Sequence, residues 1–231
     1  MIKQLFLIAF LLITTQAFAQ EILLEQDVTA DSVRPSRGPN LKNFTHFYAG
    51  LGFPVFTNEE VTYTEFGTST DVNFGLRYKR KFTNTLAAGA DLCVAASSYK
   101  IKQDNMKSVP DTIANEKEKI RIGVVSPSVF LRLNIGKRGN YVGNFLDLGA
   151  YGGWNIRKMH ITVNHNDLDE RIRVQTSHLD YVETFTYGLL ARAGINRYVV
   201  TARYRTSDIF KPSYSFPELP RLTVGVEIGL F

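Results

Sequence analysis

Segments that alternate apolar and polar residues run through most of this 231-residue chain, and this period of two restricts the fold more than any other feature. Successive side chains of a β-strand point to opposite faces, so the alternation predicts strands with one apolar and one polar face. Eight segments show it, at residues 44–56, 70–82, 85–99, 120–135, 141–157, 181–195, 198–208 and 221–231. The chain is therefore predicted to be all-β.

The glycines indicate which strand face points inward. Ten of the 17 glycines fall on the polar face in mid-strand, beside charged residues: Gly50, Gly52, Gly75, Gly89, Gly149, Gly153, Gly188, Gly194, Gly225 and Gly229. Glycine weakens a strand face exposed to water, whereas inside a narrow eight-stranded barrel it leaves room for a long charged neighbour. A soluble lipocalin-type barrel would instead turn its apolar face inward. We therefore predict a polar lumen, a lipid-facing apolar exterior and a sheet without open edges.

The connections between the predicted strands alternate in length. Long connections follow the first, third, fifth and seventh strands, and tight turns follow the second, fourth and sixth, at residues 83–84, 136–140 and 196–197. Outer-membrane barrels have short periplasmic turns and long outer loops. The pattern predicts an eight-stranded antiparallel transmembrane β-barrel over residues 44–231, with short turns in the periplasm and long loops outside the cell.

The N-terminus has the pattern of a secretory signal peptide. Lys3 is followed by an apolar run at residues 5–13 and by small residues around 17–19, which predicts a signal peptide over residues 1–19. The run is too short to span a bilayer, which takes about 20 helical residues. Residues 20–43 are polar and contain proline and glycine, so they are predicted to be a flexible periplasmic leader.

Ten aromatic residues lie where a membrane barrel would need them. Five are near the short-turn ends of the predicted strands and five toward the long-loop ends, so they predict two interfacial girdles. The first set is Phe47, Tyr78, Phe82, Tyr141 and Tyr198, and the second is Phe53, Phe74, Trp154, Phe185 and Tyr204.

Charged residues on the polar strand faces are the main candidates for a functional site. Twelve are predicted to point into the lumen: Asp71, Arg77, Lys79, Lys81, Asp91, Arg132, Asp147, Arg157, Arg192, Arg203, Arg205 and Glu227. If Phe82 pairs with Leu86 across the turn, Arg77 falls opposite Asp91. Buried charges must be paired, so one interpretation is a plug of salt bridges. The alternative is a narrow, anion-selective pore. The small lumen of eight strands favours the plug.

Catalytic and metal-binding patterns are weak in this chain. Three of its four histidines lie in the 158–180 segment, but their spacing matches no metal-ligand pattern, and a base formed by His165 and Asp167 has no orienting partner or nucleophile nearby. This segment and residues 100–119 are predicted to be polar, exposed loops. The lone Cys93 cannot form an internal disulfide. We predict no enzymatic activity, no metal and no cofactor, and the mild net charge of +5 predicts no binding of nucleic acid.

Several short segments share a pattern of alternating apolar residues and glycine. They are 47–52 (FYAGLG), 72–78 (VNFGLRY) and 146–153 (LDLGAYGG), with the ending 202–205 and 219–226. Through these segments the chain resembles the porin-like outer-membrane β-barrel family common in Bacteroidota, which includes PorT-like proteins. The resemblance covers about residues 44–231 and implies a barrel of OmpA/OmpX-like size, with outer-membrane lipid and the barrel-insertion machinery as partners. Phe231 departs from the usual pattern, in which the insertion machinery recognises a C-terminal aromatic residue on the apolar strand face. Here Phe231 lies on the opposite face from the apolar series 222–230. Either this residue turns, or the insertion signal is read differently.

The resemblance leaves the role of the barrel open among three hypotheses. The first is a structural or accessory role in the envelope, with PorT-like assistance to protein secretion and secretion-system proteins as further partners. The second is a small-solute pore. The third is a surface adhesin acting through residues 100–119 and 158–180.

Overall fold

The computed structural model describes residues 38–55, 64–65, 68–104, 107, 109–111, 113–136, 141–166 and 168–231. The predicted signal peptide and the predicted leader up to residue 37 lie outside the described residues. The described residues form nine strands: β1 (Asn43–Val55), β2 (Thr70–Lys81), β3 (Leu86–Ile101), β4 (Lys117–Ile135), β5 (Asn144–His165), β6 (Arg171–Ser177), β7 (Phe185–Ile195), β8 (Tyr198–Arg205) and β9 (Leu222–Leu230). A 3₁₀ turn, Pro212–Tyr214, lies between β8 and β9.

Eight of the nine strands close into a ring. The first strand pairs with both β2 and β9, and β4 pairs with β5, so the order around the barrel is β1-β2-β3-β4-β5-β7-β8-β9. Every pairing is antiparallel, which confirms the predicted all-β barrel. Within the described part of the chain, no helix is long and apolar enough to span a membrane.

The ninth strand, β6, was not predicted. It pairs only with the outer half of β5, so the predicted loop 158–180 is largely a hairpin that projects beyond the ring. Its turn is held by Asn166, whose side-chain oxygen accepts hydrogen bonds from the backbone N–H groups of Leu168 and Glu170. The prediction of a loop was therefore wrong where β5 and β6 pair, because β4 offers the extended β5 a partner along its length, although the residues of β6 are exposed as predicted.

The short turns fix the register of the strands at one end of the barrel. Asn196 adopts a positive φ of 55° in the two-residue turn between β7 and β8, a conformation that asparagine tolerates better than most residues. In the β2–β3 hairpin the backbone N–H of Phe82 donates to the carbonyl of Leu86. This register sets Arg77 opposite Asp91, as the turn predicts.

The outer surface of the ring is an uninterrupted apolar band. Large side chains on it are strongly exposed, for example Phe185 at 68% and Tyr198 at 71%, whereas alternate residues are buried in the lumen. Soluble monomers rarely expose apolar patches of more than a few hundred Å². The apolar exterior therefore indicates a barrel surrounded by lipid.

A bulge in β5 corrects one predicted lumen residue. The register of β4 and β5 shifts between Gly123 and Val124, and Ile156 is the extra residue. A bulge reverses the alternation beyond it. Asn155, which precedes the bulge, keeps the regular alternation and is buried in the lumen, whereas Arg157, predicted to point inward, pairs with Gly123 and is exposed on the outer face.

All ten predicted girdle residues are exposed, but two of them do not fit separate belts. Phe47 and Phe74, assigned to opposite ends, stack with ring centroids 5.7 Å apart. The stagger of neighbouring tilted strands explains this, because position along a strand does not give height in the barrel. Trp154 and Phe185, both assigned to the long-loop end, stack at 6.0 Å.

Candidate functional site

A network of ion pairs fills the middle of the lumen. Its centre is Asp91 on β3, which accepts a hydrogen bond from Arg77 Nε at 2.9 Å and another from Arg192 on β7. The hydroxyl of Ser128 also donates to Asp91, at 3.1 Å. Arg77 reaches further to Glu227 on β9, at 2.7 Å. The four charged side chains are at most 5% exposed, so they link opposite walls of the barrel away from water.

A second buried pair extends the network toward β4 and β5. Arg132 donates to both carboxylate oxygens of Asp147, at 2.6 and 2.7 Å. The guanidinium of Arg192 lies 3.9 Å from Asp147 and 4.0 Å from Glu227, so it joins this pair to the first group. Three arginines thus face three carboxylates, and the charges balance. Paired bidentate geometry is what makes such burial tolerable.

Aromatic rings on the polar face support the arginines. The guanidinium carbon of Arg77 lies 4.2 Å from the ring centroid of Tyr48, and that of Arg132 lies 3.6 Å from the centroid of Phe145. Phe130 lies beside both Arg132 and Arg192. Cation–π contacts of this kind strengthen away from water. Alternation also predicts that Phe130 and Phe145 point inward, although neither carries the charge that marks the predicted lumen residues.

Several inward glycines accommodate these rings, and only some adjoin charged side chains. A Cβ on Gly75 would meet the Tyr48 ring at 2.6 Å, one on Gly89 the Phe130 ring at 2.4 Å, and one on Gly194 the Phe145 ring at 2.2 Å. The prediction that glycine leaves room for long charged neighbours fits Gly50, which adjoins Glu227. At the other three positions the neighbour is an aromatic ring.

A small polar cavity lies between the network and the long-loop end. The volume of this cavity is about 70 Å³, which is enough for a few water molecules. Asp71, Tyr151 and Arg203 line it, and Arg203 pairs with Asp71. Arg205 at its edge pairs with Glu218 at 2.9 Å and donates to the carbonyl of Leu219. A further cavity beside Arg192 has only about 10 Å³.

The long-loop end is covered by apolar residues, which we name the loop-end cap. Its members come from β3, β4 and three connections: Tyr99, Ile101, Val109, Ile120, Ile122, Leu179, Val182, Ile209, Phe210 and Leu219. Backbone hydrogen bonds tie two connections together, from Glu183 N to Ile209 O at 2.7 Å and from Lys211 N to Tyr181 O at 2.9 Å. The cap lines the cavity above Asp71, so it packs across the lumen.

The short-turn end is filled as well. Lys79 donates to the carbonyl of Pro39 at 2.5 Å, and Lys81 donates to Asn40 at 3.3 Å, so the last part of the predicted leader contacts the barrel. Phe231 packs in this end with its ring centroid 5.4 Å from that of Phe44. The terminal aromatic therefore points inward, as its parity predicts, and does not turn to the lipid face.

The histidines predicted as weak catalytic candidates pair with glutamates. His160 contacts Glu118 at 2.7 Å, and His165 contacts Glu116. Asp167 lies outside the described residues. Among the described residues no group of three or more histidine, cysteine or acidic side chains could hold a metal ion. Cys93 is a buried free thiol.

Glu118 anchors the connection between β3 and β4 beside the cap. It is buried and accepts hydrogen bonds from His160, Lys107 and Asn115. Burial raises the pKa of this carboxyl, but the hydrogen bonds outweigh burial and hold the pKa below its ordinary 4.5. The ionised form thus stabilises this region.

We expect the cap region to loosen in acid. A lowered folded pKa gives stability that is present above the ordinary value of 4.5 and lost as the pH falls through the folded pKa. Hydrogen exchange of residues 113–122, corrected for the intrinsic rate, should show protection that drops in that window. Glu118→Gln should reduce protection at pH 7 and remove its acid dependence, whereas an unchanged acid profile would exclude Glu118 as the cause.

Comparison with known proteins adds one strong and one weak similarity. The model of the outer membrane protein beta-barrel domain matches residues 34–207, which is more than half of the chain. Among solved structures, the chain is similar to Ail, the attachment invasion locus protein of Yersinia pestis, crystallised with the heparin analogue sucrose octasulfate. The identity is 13%, the TM-score is 0.32, and the match covers 82% of this chain and 96% of that one. No curated protein matches.

Proposed function

The chain belongs to the outer membrane protein β-barrel domain family, and from this membership we propose that it is a non-conducting, non-enzymatic barrel that carries an outer binding platform. The platform is defined as the projecting sheet beside the loop-end cap, formed by residues 117–124 of β4, residues 155–165 of β5, and β6. In this proposal the precursor loses its signal peptide, and the long loops face the cell exterior.

The observation that carries the proposal is the filled lumen. Ion pairs centred on Asp91 and Asp147 cross its middle, the loop-end cap covers one end, and Phe231 with Phe44 packs in the other. Two cavities along it that described residues line, of about 70 and 10 Å³, lie on one side of the network. A pore needs a continuous wet path. The platform, in contrast, offers an exposed edge strand in β6.

Conductance separates the plugged barrel from a solute pore. We expect purified protein in a planar bilayer to give no stable conductance steps between pH 6 and 8, because opening the lumen would break several buried ion pairs at once. A general porin reconstituted in parallel serves as the positive control. Regular unitary steps that survive repeated purification would exclude the plug and favour the anion-selective pore.

An accessory role in PorT-like protein secretion remains the finer proposal, supported by the sequence resemblance alone. A barrel that does not conduct can act in the envelope through contacts with other proteins. Co-purification from the native outer membrane tests this role, because export components should be recovered reproducibly with the intact chain. A surface adhesin is the rival binding function, and it would be recovered without them.

A hairpin variant shows whether the platform makes these contacts. Ile161 pairs with Gln175, so residues 162–174 can be replaced by Asn-Gly, which favours a two-residue turn. We expect this variant to keep the heat-resistant compact form of the barrel on gels and to lose its partners or its ligand. Retention of every partner would place the binding surface elsewhere.

A further inference from the structure

The outward face of the projecting sheet carries six cations, which we name the basic face. Beyond the bulge, outward positions on β4 pair with outward positions on β5, and those pair in turn with β6. These positions hold Lys117, Lys119, Arg121, Arg157, Arg171 and Arg173, and all six are exposed or half-exposed. The six residues lie in neighbouring cross-strand pairs on the same face of the sheet, so their charges form one patch that extends over three strands.

Carboxylates of the described residues do not neutralise this patch. Within the described residues, no carboxylate oxygen lies within 4 Å of a nitrogen of any of the six, although other arginines and lysines of this chain have such pairs. Burial lowers the pKa of Lys119, and repulsion from Arg121, Arg173 and Arg171 lowers it further. Like charges this close cost free energy unless an anion joins them. The patch is therefore arranged for an external anion.

The basic face continues the lipid-facing surface. Trp154 is an exposed apolar residue on the outer face of β5, and Val125, its partner on β4, has the same parity as Arg121, Lys119 and Lys117. With a rise of about 3.3 Å per residue, the row of Arg157 lies about 7 Å beyond the Trp154 row along β4, and Lys117 lies about 26 Å beyond it. The nearest cations of the basic face therefore adjoin the end of the lipid-facing band at the long-loop end.

We propose that the basic face binds the anionic headgroups of the outer-leaflet glycolipid, through phosphate groups on its saccharides. The inference rests on the proposed function in one respect, namely that the long loops face outward. Juxtaposed lysines and arginines bind anionic lipid surfaces additively, each gaining about a factor of five. Met159 and Ile161, buried between these cations, give the patch a firm base on which the charges are held in place.

The probe is lipid A in detergent micelles, titrated against the full-length mature protein. Trp154 is the only tryptophan and lies beside the basic face, so its fluorescence reports binding. The test variant is Lys119→Gln/Arg121→Gln/Arg173→Gln. We expect it to bind roughly 100-fold more weakly, and we expect binding of the unchanged protein to weaken with salt.

The matched control removes three exposed cations from the short-turn end, as Lys42→Gln/Arg80→Gln/Arg197→Gln. It should bind lipid A as the unchanged protein does, and circular dichroism checks that both variants are folded. Equal loss in both variants would mean attraction by net charge alone and would overturn the assignment. Binding of soluble dextran sulfate without binding of lipid A would overturn it too. Neither result depends on conductance or co-purification, so failure of this inference can be distinguished from failure of the proposed function.

Discussion

Asp91→Asn is expected to destabilise the folded barrel by about 3–5 kcal/mol, because it leaves buried guanidinium groups without their carboxylate. Arg77 and Arg192 both donate to Asp91, and both are nearly inaccessible to water. The asparagine keeps the size of the side chain, so the loss reports the missing charge and not a cavity. Urea unfolding in lipid vesicles, followed by Trp154 fluorescence, measures the change.

Asp208→Asn is the matched control. Asp208 also pairs with an arginine, Arg221, but its side chain is 52% exposed and that of Arg221 is 33% exposed. Water screens such a pair, so the substitution should cost no more than about 1 kcal/mol. Similar losses in the two variants would show that the lumen network contributes little, and the plug would then lack an energetic basis.

Gly149→Ala should lower the stability of the barrel by about 3 kcal/mol or more and reduce the yield of refolding into vesicles. A Cβ at this position would lie 2.1 Å from the carbonyl oxygen of Val129 and 2.9 Å from the Cα of Phe130. These are backbone atoms of the paired strand, so no side chain can move aside. Overpacking of a rigid site usually costs about 1–3 kcal/mol, and contact with backbone belongs at or above the top of that range.

Gly152→Ala provides the control on the same strand. A Cβ there meets nothing within 4 Å, so the variant should refold as the unchanged protein does and be equally or slightly more stable. Because both substitutions replace a β5 glycine by alanine, the loss of backbone flexibility in the unfolded chain is common to them. A Gly149 variant as stable as the Gly152 variant would contradict the close approach of β4 and β5.

The ring of strands could be predicted because its signals are local. Alternation marks each strand, and the tight turn before Leu86 fixes the pairing that sets Arg77 opposite Asp91. Contacts across the lumen have no such signal. Arg192 reaches Asp91 from another wall, and this depends on the closure and stagger of the whole barrel, which no short segment specifies.

The predictions for Arg157 and for the segment that contains β6 were wrong for two different physical reasons. Arg157 was assigned to the lumen because an inserted residue reverses the alternation without altering composition, and Gly123 is only a weak sign of a bulge. The hairpin of β6 was missed because its short alternation of arginine with Ile172 and Val174 exposes both faces. Such a strand depends on a neighbour for its stability, so its own residues predict it poorly.

The bulge at Ile156 has a further consequence for the outer surface of the protein. Ile156 is the residue without a partner on β4, so deleting it would leave Arg157 opposite Gly123 and every distal residue on its present face. A regular pairing of Ile156 with Gly123 would instead turn Arg157, Arg171 and Arg173 toward the barrel axis, while the three β4 cations kept their direction. The cationic collar on β5 and β6 thus depends on one unpaired residue and not on a change of amino-acid type.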